Sequence, residues 1–209
     1  MCHRVTPLFL GELEEALREL HLSGHARIPA RDPRQVVPDA YPGKQLPLFV
    51  PNDAGDLQAT ELVWGFDKPG GKGGLVFNTR LDTALAQAHS GRGLWATPIT
   101  RGRCLVPVRG FYENWTRSND RSRQVRFTLP GSQVFLLAGV QHEDRVSIVT
   151  TEPNADVGLF HQRMPLVLAP GESSVWLGPD FARLADRSHI HLSATPEEDA
   201  RGATLPGLG

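Results

Sequence analysis

The stretch RCLVPVRGFYENW (Arg103–Trp115) opens the run of sequence that decides the architecture. It supplies two strand candidates, Arg103–Val108 and Phe111–Trp115, and three more follow at Gln124–Leu129, Val134–Val140 and Ser147–Thr151. The turns between them are short, so antiparallel pairing is the natural result. Towards the N-terminus, Leu46–Val50 and Glu61–Phe66 read as strands on either side of the turn Asn52-Asp53-Ala54-Gly55, and Leu75–Thr79 reads as a strand entering a helix near Asp82. Leu10, Leu13, Ala16, Leu17 and Leu20 recur at helical spacing and predict an amphipathic helix from Leu10 to Leu22. Towards the C-terminus the pattern predicts a helix from Asn154 into Phe160, a strand Pro165–Leu168, and short helices at Ser173–Leu177 and Pro179–Ala185. His25–Gln45 is rich in Pro, Asp and Gly and predicts irregular structure, and PGGKGG at 69–74 predicts a mobile loop that lacks the spacing of a phosphate-binding loop. The expected fold class is α+β: a single domain around a curved, mostly antiparallel sheet with peripheral helices, residues 1–195 forming the domain and 196–209 a flexible tail.

Composition agrees with that reading. The chain has 209 residues, 40% hydrophobic and 22% charged, enough to bury one core and too apolar for global disorder. No apolar run approaches the ~20 residues that span a bilayer, and MCHRVTPLFL does not read as a signal peptide. Two cysteines make no disulfide framework, so a reducing cytoplasm is the expected compartment.

The net charge of −1 argues against indiscriminate coating of duplex DNA, but it is unevenly distributed. Asn78 to Arg126 holds nine arginines, no lysine and three acids, a net of +6, whereas the remainder carries −7. Such a segment is either a solvated face or a site for an anionic ligand, and arginine forks suit phosphate oxygens.

Cys2 is the most informative residue. If Met1 is removed, Cys2 carries a free α-amine and a thiol on adjacent carbons, each partly in its nucleophilic form at neutral pH. Such a pair condenses with an aldehyde to an imine and then closes to a thiazolidine ring. Three other segments carry candidate chemistry. Phe77-Asn78-Thr79-Arg80 places an amide and a guanidinium at a strand end, Asn78 for an amine or carbonyl and Arg80 for a phosphate. Glu113 lies among aromatic residues in an otherwise apolar strand, where a carboxyl is either outward-facing or partly buried with a raised pKa. His161-Gln162-Arg163-Met164-Pro165 sets an imidazole just before a buried strand. Singly, each has a plain structural alternative: Asn78 a turn residue, Glu113 a solvated side chain, His161 a loop histidine.

Taken in order, the M-C start, FNTRxxTA from Phe77, RCLVPxxGFYExW from Arg103 and HxRMPLVL from His161 resemble the SOS response-associated peptidase (SRAP) family, and Trp64-Gly65-Phe66 resembles its W-G strand. The resemblance spans residue 2 to about residue 168. It implies a barrel-like β core, a groove for single-stranded DNA, and self-removal of Met1 followed by a covalent thiazolidine link between Cys2 and the ring-opened aldehyde of an abasic site. On that pattern Cys2 is the nucleophile, Asn78 positions its amine, Glu113 shuttles protons, and His161 assists proton transfer on the sugar, where lyase cleavage can compete. Arg80 and Arg4 would each hold a DNA phosphate. Beside the resemblance, Arg117 and Arg163 are candidate DNA contacts by charge, and Trp64 is a candidate stacking surface for an unpaired base. No metal or organic cofactor, membrane or obligate protein partner is implied, and the expected setting is a bacterial or phage-related nucleoid. Trp95, Phe111, Tyr112 and Trp115 are further candidates for stacking on unpaired bases.

Two departures stand out: His3 occupies a position where the family pattern has glycine, and Pro38–Gly43 echoes the family's YNxAPG stretch only loosely. Three rival readings follow. One is an N-terminal-nucleophile amidohydrolase built on Cys2. Another is a single-stranded-DNA binder whose chemistry lapsed through His3. The third is a zinc site using His189, His191 and Cys104, with no CxxC or HExxH to support it.

Overall fold

In a computed structural model, residues 2–25, 38–71, 73–115 and 123–197 are described. The strands are β1 (Arg4–Pro7), β2 (Gly24–His25), β3 (Gln45–Pro51), β4 (Leu57–Trp64), β5 (Phe66–Asp67), β6 (Leu75–Val76), β7 (Asn78–Arg80), β8 (Arg103–Trp115), β9 (Arg123–Thr128), β10 (Phe135–His142), β11 (Arg145–Thr151), β12 (Met164–Pro165), β13 (Val167–Leu168) and β14 (Ser193–Pro196). The helices are α1 (Leu13–Glu19), α2 (Leu81–Ser90), α3 (Ala96–Arg101), α4 (Ala155–Gly158) and α5 (Ser173–Leu177).

The pairings β8–β10, β10–β11, β11–β4, β4–β3 and β3–β8 return to their starting strand, so the sheet closes on itself as a small barrel. All but β11–β4 are antiparallel within that ring. Alternation along the strands then sorts two cores. Cys104, Val106 and Val108 of β8 join Leu46 and Leu48 of β3, Leu137 of β10 and Ile148 of β11 in one cluster. Leu105, Leu136, Ala138 and Val149 point the other way and meet α1, α2, α3 and α5 through Leu13, Leu17, Leu81, Ile99 and Trp176. The first cluster fills the barrel and the second lies beneath the helices. Each large side chain so buried contributes about 1.5–3 kcal/mol.

The main difference from expectation is β8. Two strands were expected there, and one strand of 13 residues is found. Its first half pairs with β10 and its second half with β9 and β1, so Pro107 and Gly110 mark a change of partners within one strand. At Gly110 the chain is crowded: a Cβ there would meet Arg126 Nε at 2.9 Å and Phe127 O at 3.1 Å. The β3–β4 turn forms as expected, with Asn52 Oδ1 accepting from the backbone N–H groups of Ala54 and Asp56. α3 was not expected. Its Pro98 lies in the first turn, where no intrahelical N–H is required. β14 is a second addition: Thr195 and Pro196 pair with β9, and residues 198–209, most of the expected tail, lie outside the described residues. No described helix is long and apolar enough to cross a membrane.

Candidate active site

β1 lies antiparallel on the second half of β8, with Arg4 opposite Tyr112, Val5 opposite Phe111 and Thr6 opposite Gly110. That register brings the start of the chain to Glu113. Cys2 is wholly buried and belongs to the barrel-filling cluster, and Glu113 is 1% exposed. The Cys2 thiol donates to the carbonyl oxygen of Arg4 at 3.6 Å. Burial holds the thiol well above its ordinary pKa, and the neighbouring Glu113 charge raises it further. Burial also pushes the Glu113 carboxyl up to about 7, so near neutral pH it both holds and releases a proton.

Asn78 comes from β7, which runs parallel to β11 with Asn78 opposite Ile148. Its Nδ2 donates to the Cys2 carbonyl oxygen at 2.7 Å. Its Oδ1 is buried and accepts no hydrogen bond among the described residues. Trp64 supports this strand from below: its indole N–H donates to the carbonyl of Phe77 at 2.8 Å.

His161 follows α4, which Asn154 caps by accepting from the Val157 N–H and ties to the C-terminal segment by donating to the Ile190 carbonyl. An aromatic series, Phe111–Phe127–Phe160–Trp115 with centroids 5.1–5.7 Å apart, buttresses the turn. Nδ1 of His161 stands 3.9 Å from Glu113 Oε2. The same nitrogen meets both the N–H (3.1 Å) and the carbonyl (2.9 Å) of Arg163, so it accepts from the first when bare and donates to the second when protonated. Burial lowers the imidazole pKa, which favours the neutral ring.

The structure therefore brings Cys2, Asn78, Glu113 and His161 together from β1, β7, β8 and the segment after α4. The expected DNA contacts are placed less uniformly. Trp64 is wholly buried, so no face of its ring is open to a base, and its role here is to hold β7. Trp95 and Phe111 are buried as well, and Tyr112 is covered by the Arg4 guanidinium 4.0 Å above its ring. Arg117 lies outside the described residues. Arg4, Arg80 and Arg163 are each held by carboxylates. Arg4 binds Asp39 and Glu197; Arg80 binds Asp82; Arg163 binds Glu152 at 2.6 Å and Asp82 at 3.4 Å. The Arg80 hydrogen bond lowers the Asp82 carboxyl to about 2. Arg103, within the basic segment, binds five backbone carbonyls and serves as a structural anchor. These counter-ions escape a reading by motif. Asp82, two residues after Arg80, carries a local signal, whereas Asp39 and Glu197 reach Arg4 only through the fold.

His3 turns towards β9, its Nε2 accepting from Gln124 Nε2 at 3.0 Å. The loosely matching stretch at 38–43 lies beside β1: Val5 and Ala40 exchange backbone hydrogen bonds, and Asp39 binds Thr6 and Arg4. His189 and His191 are exposed and outside any strand, paired with Glu172 and Asp156, while Cys104 is sealed in the barrel, so the rival zinc ligands do not converge.

The chain is similar to known proteins in sequence and in fold. The family model described as SOS response associated peptidase (SRAP) matches residues 1–203. The abasic site processing proteins YoaM and YoqW of Bacillus subtilis are 28% identical to the chain over 142 residues, 63% of this chain and 62% of theirs. The match thus spans less than two thirds of those relatives. A crystal structure of a protein from Bacteroides thetaiotaomicron superposes with a TM-score of 0.70 at 17% identity, covering 95% of this chain and 93% of that one. A phage-related protein from Bordetella bronchiseptica gives 0.68 at 20% identity, covering 95% of each.

Proposed function

The chain belongs to the SOS response associated peptidase family, and from that premise we propose that it processes abasic sites in single-stranded DNA through a covalent link to Cys2. The observation that carries the proposal is the convergence of a residue-2 thiol with Asn78, Glu113 and His161. The named relatives, abasic site processing proteins, support the same reading.

The chemistry begins with hydrolysis of the Met1–Cys2 bond: one water adds, methionine leaves, and the amide nitrogen of Cys2 becomes an amine. Asn78 holds the Cys2 carbonyl through Nδ2, and its open Oδ1 is an acceptor suited to that new amine. An abasic deoxyribose opens to its aldehyde, with Glu113 moving the ring proton. The amine adds to the aldehyde carbon, and loss of water leaves an imine. The sulfur then adds to the imine carbon, its proton passing by way of the carboxylate to the ring nitrogen. Overall one water is released and a thiazolidine is formed. A thiol kept protonated by burial needs such a base, and a carboxyl titrating near 7 supplies one. His161, neutral and 3.9 Å from Glu113, moves protons on the sugar, and β-elimination of the strand is the competing outcome.

The deciding experiment is intact mass after incubation with a uracil oligonucleotide treated with uracil glycosylase. A denaturation-resistant adduct, lighter by one water than the sum of processed protein and DNA and missing in Cys2→Ala, is expected. No adduct from protein confirmed to have lost Met1 overturns the proposal.

A further inference from the structure

The contact that the proposed function leaves unused is the one on Arg4. Its Nη1 and Nη2 donate to Glu197 Oε2 and Oε1 at 2.6 and 2.8 Å, the two-pronged geometry by which a guanidinium also grips a phosphate. Nε and Nη2 are held by Asp39 at 2.6 Å, and Nη1 also meets Gln124 Oε1. One cation thus carries two carboxylates, one more than its charge requires.

The two acids differ in how they are built in. Asp39 is 17% exposed, accepts a further hydrogen bond from Thr6, and adjoins the Val5–Ala40 bridge. Glu197 is 42% exposed and follows β14, a four-residue strand whose side chains all face solvent and whose sheet pairing is with β9 alone. Of the two carboxylates Glu197 is the more open to solvent, so a phosphate offering the same two-pronged geometry can reach the guanidinium and replace it. β14 also runs along a basic strand, with Thr195 opposite Arg126 and the Glu197 N–H on the Gln124 carbonyl. By contrast, the carboxylates on Arg80 and Arg163 come from their own surroundings, Asp82 and Glu152.

We propose that β14 is a displaceable strap whose Glu197 carboxylate occupies the Arg4 position of a DNA phosphate, so that single-stranded DNA binds there by exchanging with it. The inference rests on DNA being the ligand, as proposed above. Asp39 stays as the permanent counter-ion and holds the fork in place, Tyr112 supports its face, and the strap lowers affinity for DNA that offers too few phosphates to compete.

The test uses a fluorescein-labelled oligothymidylate without any lesion, read by anisotropy over a salt series, with adduct formation on an abasic oligonucleotide as a parallel readout. Glu197→Gln is expected to tighten binding about 3–10-fold at low salt, a gain that shrinks as salt rises because salt also weakens the ion pair the parent must break. Glu143→Gln, at the exposed β10–β11 turn, removes the same charge away from Arg4 and is expected to change affinity less than twofold. In an Arg4→Ala background, Glu197→Gln is expected to lose its effect. Equal effects of Glu197→Gln and Glu143→Gln, or none from Glu197→Gln, overturn the strap while adduct formation by the parent protein leaves the proposed function standing. Absence of both binding and adduct in every form overturns both.

Discussion

Asn78 Nδ2 lies 2.7 Å from the carbonyl oxygen of Cys2, joining residues 76 positions apart inside the protein. The bond fixes the start of the chain on β7, and it leaves the buried Asn78 Oδ1 accepting no hydrogen bond among the described residues. Replacing Asn78 with Ala strands the Cys2 carbonyl, at a cost of about 1–3 kcal/mol. Urea unfolding should register that loss. Asn78→Asp keeps an acceptor for the amine but loses the donor to the carbonyl, so it should slow adduct formation by at least tenfold and fail to restore stability.

Glu113 should imprint a pH dependence on stability. Its carboxyl is raised from an ordinary 4.5 to about 7, so the folded state binds a proton that the unfolded chain releases. Stability from this group is therefore full below pH 4.5 and is lost as pH rises towards 7, on the order of 3 kcal/mol in total. Glu113→Gln cannot titrate and should flatten that part of the profile in urea melts between pH 4.5 and 8. A profile unchanged by the substitution would refute a raised Glu113.

His161 should act on rate more than on binding. General acid–base groups contribute roughly 10²–10⁴-fold. His161→Ala is expected to slow adduct formation by about 10²-fold in single-turnover assays and to leave affinity for undamaged oligothymidylate within twofold. A matching fall in affinity would instead mark His161 as a binding residue.

His3 should be dispensable for the chemistry, because its ring is engaged by Gln124 on β9. His3→Gly is expected to leave the rate of adduct formation within about threefold of the parent. A rise of tenfold or more would mean that the imidazole obstructs Cys2 in solution.

Gly110 has a packing role. Any β-carbon there meets Arg126 Nε at 2.9 Å and the Phe127 carbonyl at 3.1 Å, and the carbonyl belongs to a paired strand. Gly110→Ala should cost about 1–3 kcal/mol of folding stability, measured by denaturant midpoint with an unchanged slope.

The sequence alone determined the kind of fold and the four groups of the candidate site. Local periodicity and turn residues placed most strands within a few positions of where they lie, and the resemblance of the ordered motifs to a family singled out Cys2, Asn78, Glu113 and His161. What it left open was decided by side-to-side pairing. β8 is one strand because its halves find different partners, and a proline and a glycine that would end an isolated strand are tolerated where the partner changes. Trp64 looked available for stacking, but the closed barrel buries its ring. The arginines read as phosphate ligands, yet Arg4 meets a carboxylate 193 residues away. Pattern along a chain reports what each residue needs from its neighbours in sequence. Which charge answers a distant guanidinium depends on where strand edges come to rest, and that follows only from closing the sheet.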